Sequence, residues 1–324
     1  MQMKRAGLFI LTTILLLAFT IPIKADEINI ALVPTTPSIG FVDTLHQNYT
    51  YAEMCEDINQ MCGTYGMLTQ GSIGHSAQGK NMPVLILGNP AAGKKILIQA
   101  SIHGREYMCS QLVMKMAENI CINYNTGNIG GIAYSDLFNN VCLHIVPMAN
   151  PDGVDIAQIM APQWKANAVG TDLNRNFPVG FGNGCSSVIP AAGGFPGLVP
   201  LDQPESAALA AYSAGGFCAF INYHSSGNII YYGAAGNSPD NAVRSQMLAG
   251  IASGCTGYRT VYDTINGTAY GSFADYVQTS FNRPSITIEI GGSSPVPISQ
   301  LEGIFQRNKD TWCYVALAAL TGQF

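Results

Sequence analysis

Three short apolar runs in this chain each deliver an ionisable side chain at or near their carboxyl end. That repetition limits the fold more than any other feature. Ile96-Leu97-Ile98-Gln99-Ala100 leads into His103-Gly104-Arg105-Glu106, and the run from Phe217 to Tyr223 closes on His224. Ser285-Ile286-Thr287-Ile288-Glu289-Ile290 carries Glu289 just before Gly291-Gly292. Such runs, bounded by glycine and serine, read as buried strands. In open α/β sheets, ligands bind at the carboxyl ends of the strands. His103 and Glu106 stand three positions apart, so both can lie on one side of a helical turn and reach one ion. His224 would be the third ligand, with a position left open for water, as a catalytic metal requires. His144, inside an apolar run, reads instead as a satisfied core histidine. Cys109, one turn after Glu106, reads as a small buried residue of a helix face.

The rest of the chain fits a sheet of this kind. Helices are expected over residues 51–65, with Asn48 or Thr50 as cap, and over 105–122, where Met108, Leu112, Val113, Met116 and Ile120 form an apolar stripe. Further helices are expected over 203–212, 241–252 and, as one long closing element, 299–320. Strands are expected over 84–87, 96–100, 141–147, 217–223 and 285–290. Alternating strands and helices predict an α/β fold: a mixed, mostly parallel twisted sheet flanked by helices on both faces. Residues 180–201, rich in glycine and proline, predict a long loop at the rim of the site.

Met1-Gln2-Met3-Lys4-Arg5 followed by the apolar stretch 6–23 predicts a signal peptide over 1–25, cut after Ala25, and hence a secreted protein. An uncleaved anchor is the competing reading. Pro22 and the following Asp26-Glu27 weigh against it, and no stable membrane partner is expected after cleavage. A short lead (26–47) would then precede one domain (48–324). Loss of Lys4, Arg5 and Lys24 would take the formal charge from −5 to −8. An acidic chain without a basic cluster excludes nucleic acid as a partner. Nine cysteines in an oxidising compartment allow up to four disulfides and one odd thiol. Cys55 and Cys62 on one helix are too far apart to pair. No Cys-x-x-Cys pattern points to a structural zinc.

In order and approximate spacing, His103-x-x-Glu106, Asn150-Pro151-Asp152-Gly153, Asp172-Leu173-Asn174-Arg175-Asn176-Phe177, His224-Ser225 and Thr287-Ile288-Glu289 resemble the zinc carboxypeptidase family. The resemblance implies one Zn2+ per chain, held by His103, Glu106 and His224, with Glu289 as general base. It implies that Asp172 accepts the other ring N–H of His103 and fixes its tautomer. Asn174 and Arg175 would grip a free carboxylate on the substrate, for which the planar guanidinium is suited. Arg105 matches a family arginine near the carbonyl and carboxylate subsites. Lys165 stands where many members carry an arginine that polarises the scissile carbonyl. Tyr262, among Tyr258, Tyr262 and Tyr270, is the choice for the tyrosine that closes over substrate. The short span before the first helix implies no long inhibitory pro-domain.

The substrate is then a peptide bond before a residue with a free carboxylate. Trp164-Lys165-Ala166-Asn167, Gly291-Gly292 and Pro295-Val296-Pro297 look like the bacterial γ-D-glutamyl-diamino-acid peptidases, which would make the substrate a muropeptide. The segment Gly271-Ser272-Phe273-Ala274, which would shape the side-chain pocket, has no charge beside it except Asp275, and this disfavours a basic C-terminal residue. An aspartoacylase-like amidohydrolase and a catalytically inert binding homologue are the readings from other classes. The chain length, the Asn174-Arg175 pair and the leader favour a peptidase over the first, and the intact set of ligands and base speaks against the second.

Overall fold

The computed structural model describes residues 40–263 and 270–324. The leader and the first part of the N-terminal lead lie outside the described residues. Residues 40–47, which the sequence assigns to the lead, pack onto the domain. The Phe41 N–H donates to Glu118 at 2.6 Å, and Gln47 bonds the Val296 carbonyl at 2.9 Å and the Ile298 N–H at 2.7 Å.

Helix α1 (Tyr51–Thr64) starts on a capping box, in which Thr50 Oγ accepts from Glu53 N while the Glu53 side chain accepts from Thr50 N. The chain continues through β1 (Leu68–His75), β2 (Asn81–Leu87), β3 (Lys94–Ala100), α2 (Met108–Ile122), a small ribbon of β4 (Asn128–Ile129) and β5 (Ile132–Ala133), α3 (Tyr134–Asn140), β6 (Val141–Val146) and α4 (Pro151–Ile159). Then follow α5 (Pro204–Ser213), β7 (Ala219–His224), β8 (Ile229–Tyr232), α6 (Pro239–Thr256), β9 (Arg259–Tyr262), α7 (Phe273–Ser280), β10 (Ser285–Glu289), α8 (Leu301–Asn308) and α9 (Thr311–Leu320).

The main sheet has the order β1-β2-β6-β3-β7-β10-β8-β9. Its centre, β6-β3-β7-β10, is parallel throughout, which is why those strands read as near-continuous apolar runs. Antiparallel β2 and β8 flank the centre on either side. Side chains alternate between the two faces. Ile96, Ile98, Ile221, Tyr223, Ile286 and Ile288 join the larger core cluster, together with residues of α2, α6, α8 and α9. Leu97 and Phe220 face the other way, with Leu209 of α5 and Phe273 and Val277 of α7. That second face turns polar toward its carboxyl edge. Gln99, Asn222 and Thr287 are register partners in one row, and two residues on His224 pairs with Glu289. Asn222 accepts from Gln99 at 3.4 Å and donates to Ser285 Oγ and the Ile286 carbonyl, each at 3.0 Å.

Several expectations change. The closing helix is two helices, α8 and α9, broken at Lys309-Asp310, where Asn308, Asp310 and Thr311 are weak helix formers. The segment after β3 begins as a 3-10 turn, Gly104–Glu106, before α2. None of the nine cysteines, all within the described residues, is bridged, so none of the disulfides that the count allows is formed there. Cys109 is buried in the core, as read. His144 is indeed a core residue. Its Nδ1 lies 2.6 Å from the Tyr212 hydroxyl and its ring stands edge-on to Phe217.

Gly104 marks a close backbone approach behind the site, because a Cβ there would meet the Gly153 carbonyl oxygen at 2.2 Å. Gly104→Ala should therefore cost about 1–3 kcal/mol by denaturant unfolding, while Gly93→Ala, with nothing within 4 Å, should change stability by at most about 0.5 kcal/mol. Equal effects would show that this contact is not tight. Burial, aided by the charge of Lys95, lowers the His144 pKa to about 4. A folded pKa below the unfolded value means that stability is present above about 6.5 and is lost as pH falls through about 4. His144→Phe should flatten stability over that window. An unchanged pH profile would contradict a neutral buried imidazole.

Candidate active site

The site forms where β3, β7 and β10 end. After β3 the backbone turns sharply at Ser101, a non-glycine residue at φ +52°. Ser101 Oγ donates to the Glu106 carbonyl at 3.0 Å and accepts from Ser110 at 2.7 Å, which holds the turn. The next residues are tied to a second loop, since Gly104 N–H donates to Lys165 O at 3.1 Å and Arg105 N–H to Trp164 O at 2.8 Å. Asn150 fastens both loops by donating to the Ile102 and Ala166 carbonyls at 3.1 Å and accepting from Gly153 N at 3.0 Å. The Asn-Pro-Asp-Gly motif thus works as a clamp behind the ligand turn.

Glu106 lies between two imidazoles. One carboxylate oxygen is 2.9 Å from His103 Nδ1, and the other is 3.0 Å from His224 Nδ1 and accepts from Ser225 N at 3.2 Å. Burial works to raise the Glu106 carboxyl, but His103 and His224 together hold it well below the usual range. The three residues are buried, and each offers one ligand atom, all within 4.8 Å of one another. Two imidazole nitrogens and a carboxylate oxygen are the donor set of a catalytic zinc. The orientation agrees: both histidines turn Nδ1 inward, and His103 Nε2 faces Asp172 Oδ1 at 3.3 Å. Asp172 is buried, yet His103, Lys165 and Arg175 hold its carboxyl below the ordinary range. It also accepts from Asn174 N at 3.2 Å and Gly194 N at 3.0 Å.

These residues open into a cavity of about 730 Å³. Glu289, Arg105, Lys165, Asn174 and Arg175 all line it. Burial pushes the Glu289 carboxyl up to about 7, with His224 opposing and Glu106 reinforcing the shift. Lys165 Nζ is 4.0 Å from Asp172, Arg105 donates to Gln163 at 2.9 Å, and Arg175 donates to the Asn174 carbonyl at 2.7 Å. The Asn174 side-chain oxygen accepts from Phe273 N at 2.9 Å, pinning the start of α7 to the cavity.

Tyr262 is the exception. Its ring packs edge-on to Tyr232 at 5.4 Å and over Gly233, outside the cavity wall. Tyr231 and Tyr270 line the cavity instead. Asp263 lines it too, so Asp275 is not the single acidic group near the side-chain pocket, and the argument against a basic C-terminal residue loses its ground. Asp263, Tyr231 and Asn222 were the residues sequence reasoning missed. Asn222 alone carried a signal, as a polar residue inside an apolar strand.

The sequence profile of the family described as zinc carboxypeptidase matches residues 52–311. The chain is 29% identical to γ-D-glutamyl-L-diamino acid endopeptidase 1 of Lysinibacillus sphaericus, over 80% of this chain and 70% of that protein. It is 26% identical to carboxypeptidase A2 of Rattus norvegicus, over 60% and 48% of the two chains. Among solved structures, thrombin activatable fibrinolysis inhibitor superimposes with a TM-score of 0.77 at 19% identity, covering 88% of this chain and 78% of that one. Carboxypeptidase A from Helicoverpa armigera does so with a TM-score of 0.72 at 22% identity, covering 84% and 74%. The fold is therefore that of carboxypeptidases, and the chain belongs to the zinc carboxypeptidase family as a zinc metallopeptidase.

Proposed function

We propose that this peptidase hydrolyses the amide bond before a residue that bears a free carboxylate, with Glu289 as general base. One observation carries the reading: the His103-Glu106-His224 set, Glu289 and Arg175 all open into one cavity. Zinc, when bound, lowers the pKa of its water to about 7 and makes hydroxide available at neutral pH. Glu289, in register with His224, takes the water proton and passes it to the leaving amine. Asp172 keeps the His103 proton on Nε2 and so leaves Nδ1 free to bind metal. Arg105 and Lys165 bring positive charge to the side where the carbonyl oxygen becomes negative, although a lysine lacks the arginine fork. Asn174 and Arg175 hold the substrate carboxylate, which makes the enzyme an exopeptidase. Tyr262, turned onto Tyr232, has no part in this scheme.

A second reading draws on the relative from Lysinibacillus sphaericus, which by its name is a γ-D-glutamyl-L-diamino acid endopeptidase. The motif Trp164-Lys165-Ala166-Asn167 supports the same branch. On this reading the substrate is a cell-wall peptide, and the basic start and apolar stretch before Ala25 favour secretion.

His103→Ala should lose both bound zinc and activity. Wild-type zinc content in that variant would remove His103 from the ligand set. Glu289→Gln should keep zinc but lower kcat by roughly 10²–10⁴-fold. Near-normal kcat would mean that another group moves the proton. Arg175→Ala should weaken cleavage of free-acid substrates by about 1.5–3 kcal/mol and barely affect those amidated at the C-terminus. Equal wild-type cleavage of amidated and free-acid peptides would overturn the exopeptidase reading in favour of an open-cleft endopeptidase.

A further inference from the structure

We propose that Gln163 is a positioning residue, which fixes the Arg105 guanidinium at the cavity wall so that its charge meets the substrate carbonyl oxygen as that oxygen becomes negative. The inference rests on the peptidase reading of the same cavity and deepens it. Arg105 and Gln163 both line the cavity. Among the described residues the Arg105 side chain makes one hydrogen bond, from Nη1 to Gln163 Oε1 at 2.9 Å, while its Nε is buried without a partner. The Gln163 amide reaches on in the other direction, donating from Nε2 to the Ser294 carbonyl at 3.2 Å. A guanidinium can only donate and a carbonyl only accept, so one amide serves both, in a single orientation. Ser225 Oγ in turn donates to Ser294 Oγ at 3.0 Å, and Ser225 N–H donates to Glu106 at 3.2 Å. Glu106 follows Arg105 in the chain, so these contacts close a ring, and Gln163 is its link between the arginine and the segment after Glu289. Ser225 and Ser294 line the cavity as well.

Burial does not account for this conformation. Gln163 is exposed, and a glutamine at the surface ordinarily keeps its rotamer freedom. Here both ends of its amide are engaged by the cavity wall. The backbone brings it there, because Arg105 N–H donates to the Trp164 carbonyl at 2.8 Å and Gly104 N–H to the Lys165 carbonyl at 3.1 Å. The three cations of the cavity also differ. Lys165 Nζ is 4.0 Å from Asp172, and Arg175 helps to lower the same carboxyl. Both charges are thus shared with a buried carboxylate. Arg105 forms no ion pair among the described residues, so its charge is the one left open to the reacting carbonyl. A charge lowers the barrier most when it is held in place before the reaction begins. An arginine side chain is long and flexible, and Gln163 supplies the hold.

The test is a mutant cycle on the zinc-loaded full chain. The kcat and KM are read separately on whichever of benzoyl-glycyl-leucine and γ-D-glutamyl-lysine the wild type cleaves faster. Gln163→Met keeps the side-chain length and removes both hydrogen bonds. It should lower kcat roughly 10-fold, with KM and zinc content close to wild type. Added to Arg105→Met, it should cost less than about 2-fold more, because the arginine through which it acts is already gone. Added to Lys165→Met, it should keep its full effect. A wild-type kcat in Gln163→Met would overturn the proposal. So would an equal loss with and without Arg105, which is what a general structural role would give. A rise in KM at unchanged kcat would overturn it too, since the contact would then serve substrate binding alone. Each of these results leaves the peptidase reading intact. If the zinc-loaded wild type cleaves neither substrate, that reading itself fails, and the proposal with it.

Discussion

A buried carboxylate shared by two imidazoles is the constraint around which this protein is arranged. Glu106 would be costly in the interior without partners. It is held by His103 on one side and by His224 and a backbone N–H on the other. Those partners come from separate parts of the sheet, so the grouping exists only when β3 and β7 are adjacent and in register. Ser101 in its left-handed turn, Gly104 against Gly153 and the Asn150 clamp all serve to bring the ligand turn to that point. The metal site is therefore a product of tertiary packing, and small errors in the loops behind it would reach the ligands directly.

The same arrangement separates tasks by position along the strands. At the carboxyl edge His224, one of the three candidate metal ligands, stands in register with Glu289. One pleat deeper, Asn222, Thr287 and Tyr231 line the cavity in a single row. Around the rim, Arg105, Lys165 and Arg175 provide positive charge in a chain whose formal charge is −5. Asp172 links the rim to the metal side, since it faces His103, lies near Lys165 and has its carboxyl depressed in part by Arg175. A change at Asp172 would thus disturb both sides.

Much of this was readable in the chain because the parallel strands are short, apolar and end on their functional residues. His103, His224 and Glu289 interrupt or terminate runs that otherwise serve burial, and that exception is visible without a structure. The flanking strands are harder. The β8 and β9 segments are only four residues each and join the sheet beside β10 through non-sequential pairing, so nothing local announces that Tyr231 and Asp263 reach the cavity. Tyr262 and Asp263 are neighbours on an extended chain, and neighbouring side chains point to opposite faces. Tyr262, the choice for the closing tyrosine under the family resemblance, therefore turns onto Tyr232, while the aspartate beside it lines the site. The break between α8 and α9 was hidden for a different reason, because apolar periodicity continues across Lys309-Asp310.

The central claim is that two imidazoles and one carboxylate, and no thiolate, bind the catalytic zinc. All nine cysteines are unbridged thiols, so competition from sulfur is a real chemical alternative. X-ray absorption at the zinc edge of the purified, zinc-loaded protein tests the claim most directly. The account predicts a shell of nitrogen and oxygen at about 2.0–2.1 Å with the scattering signature of two imidazoles. A sulfur shell near about 2.3 Å, or fewer than two imidazoles, would contradict it.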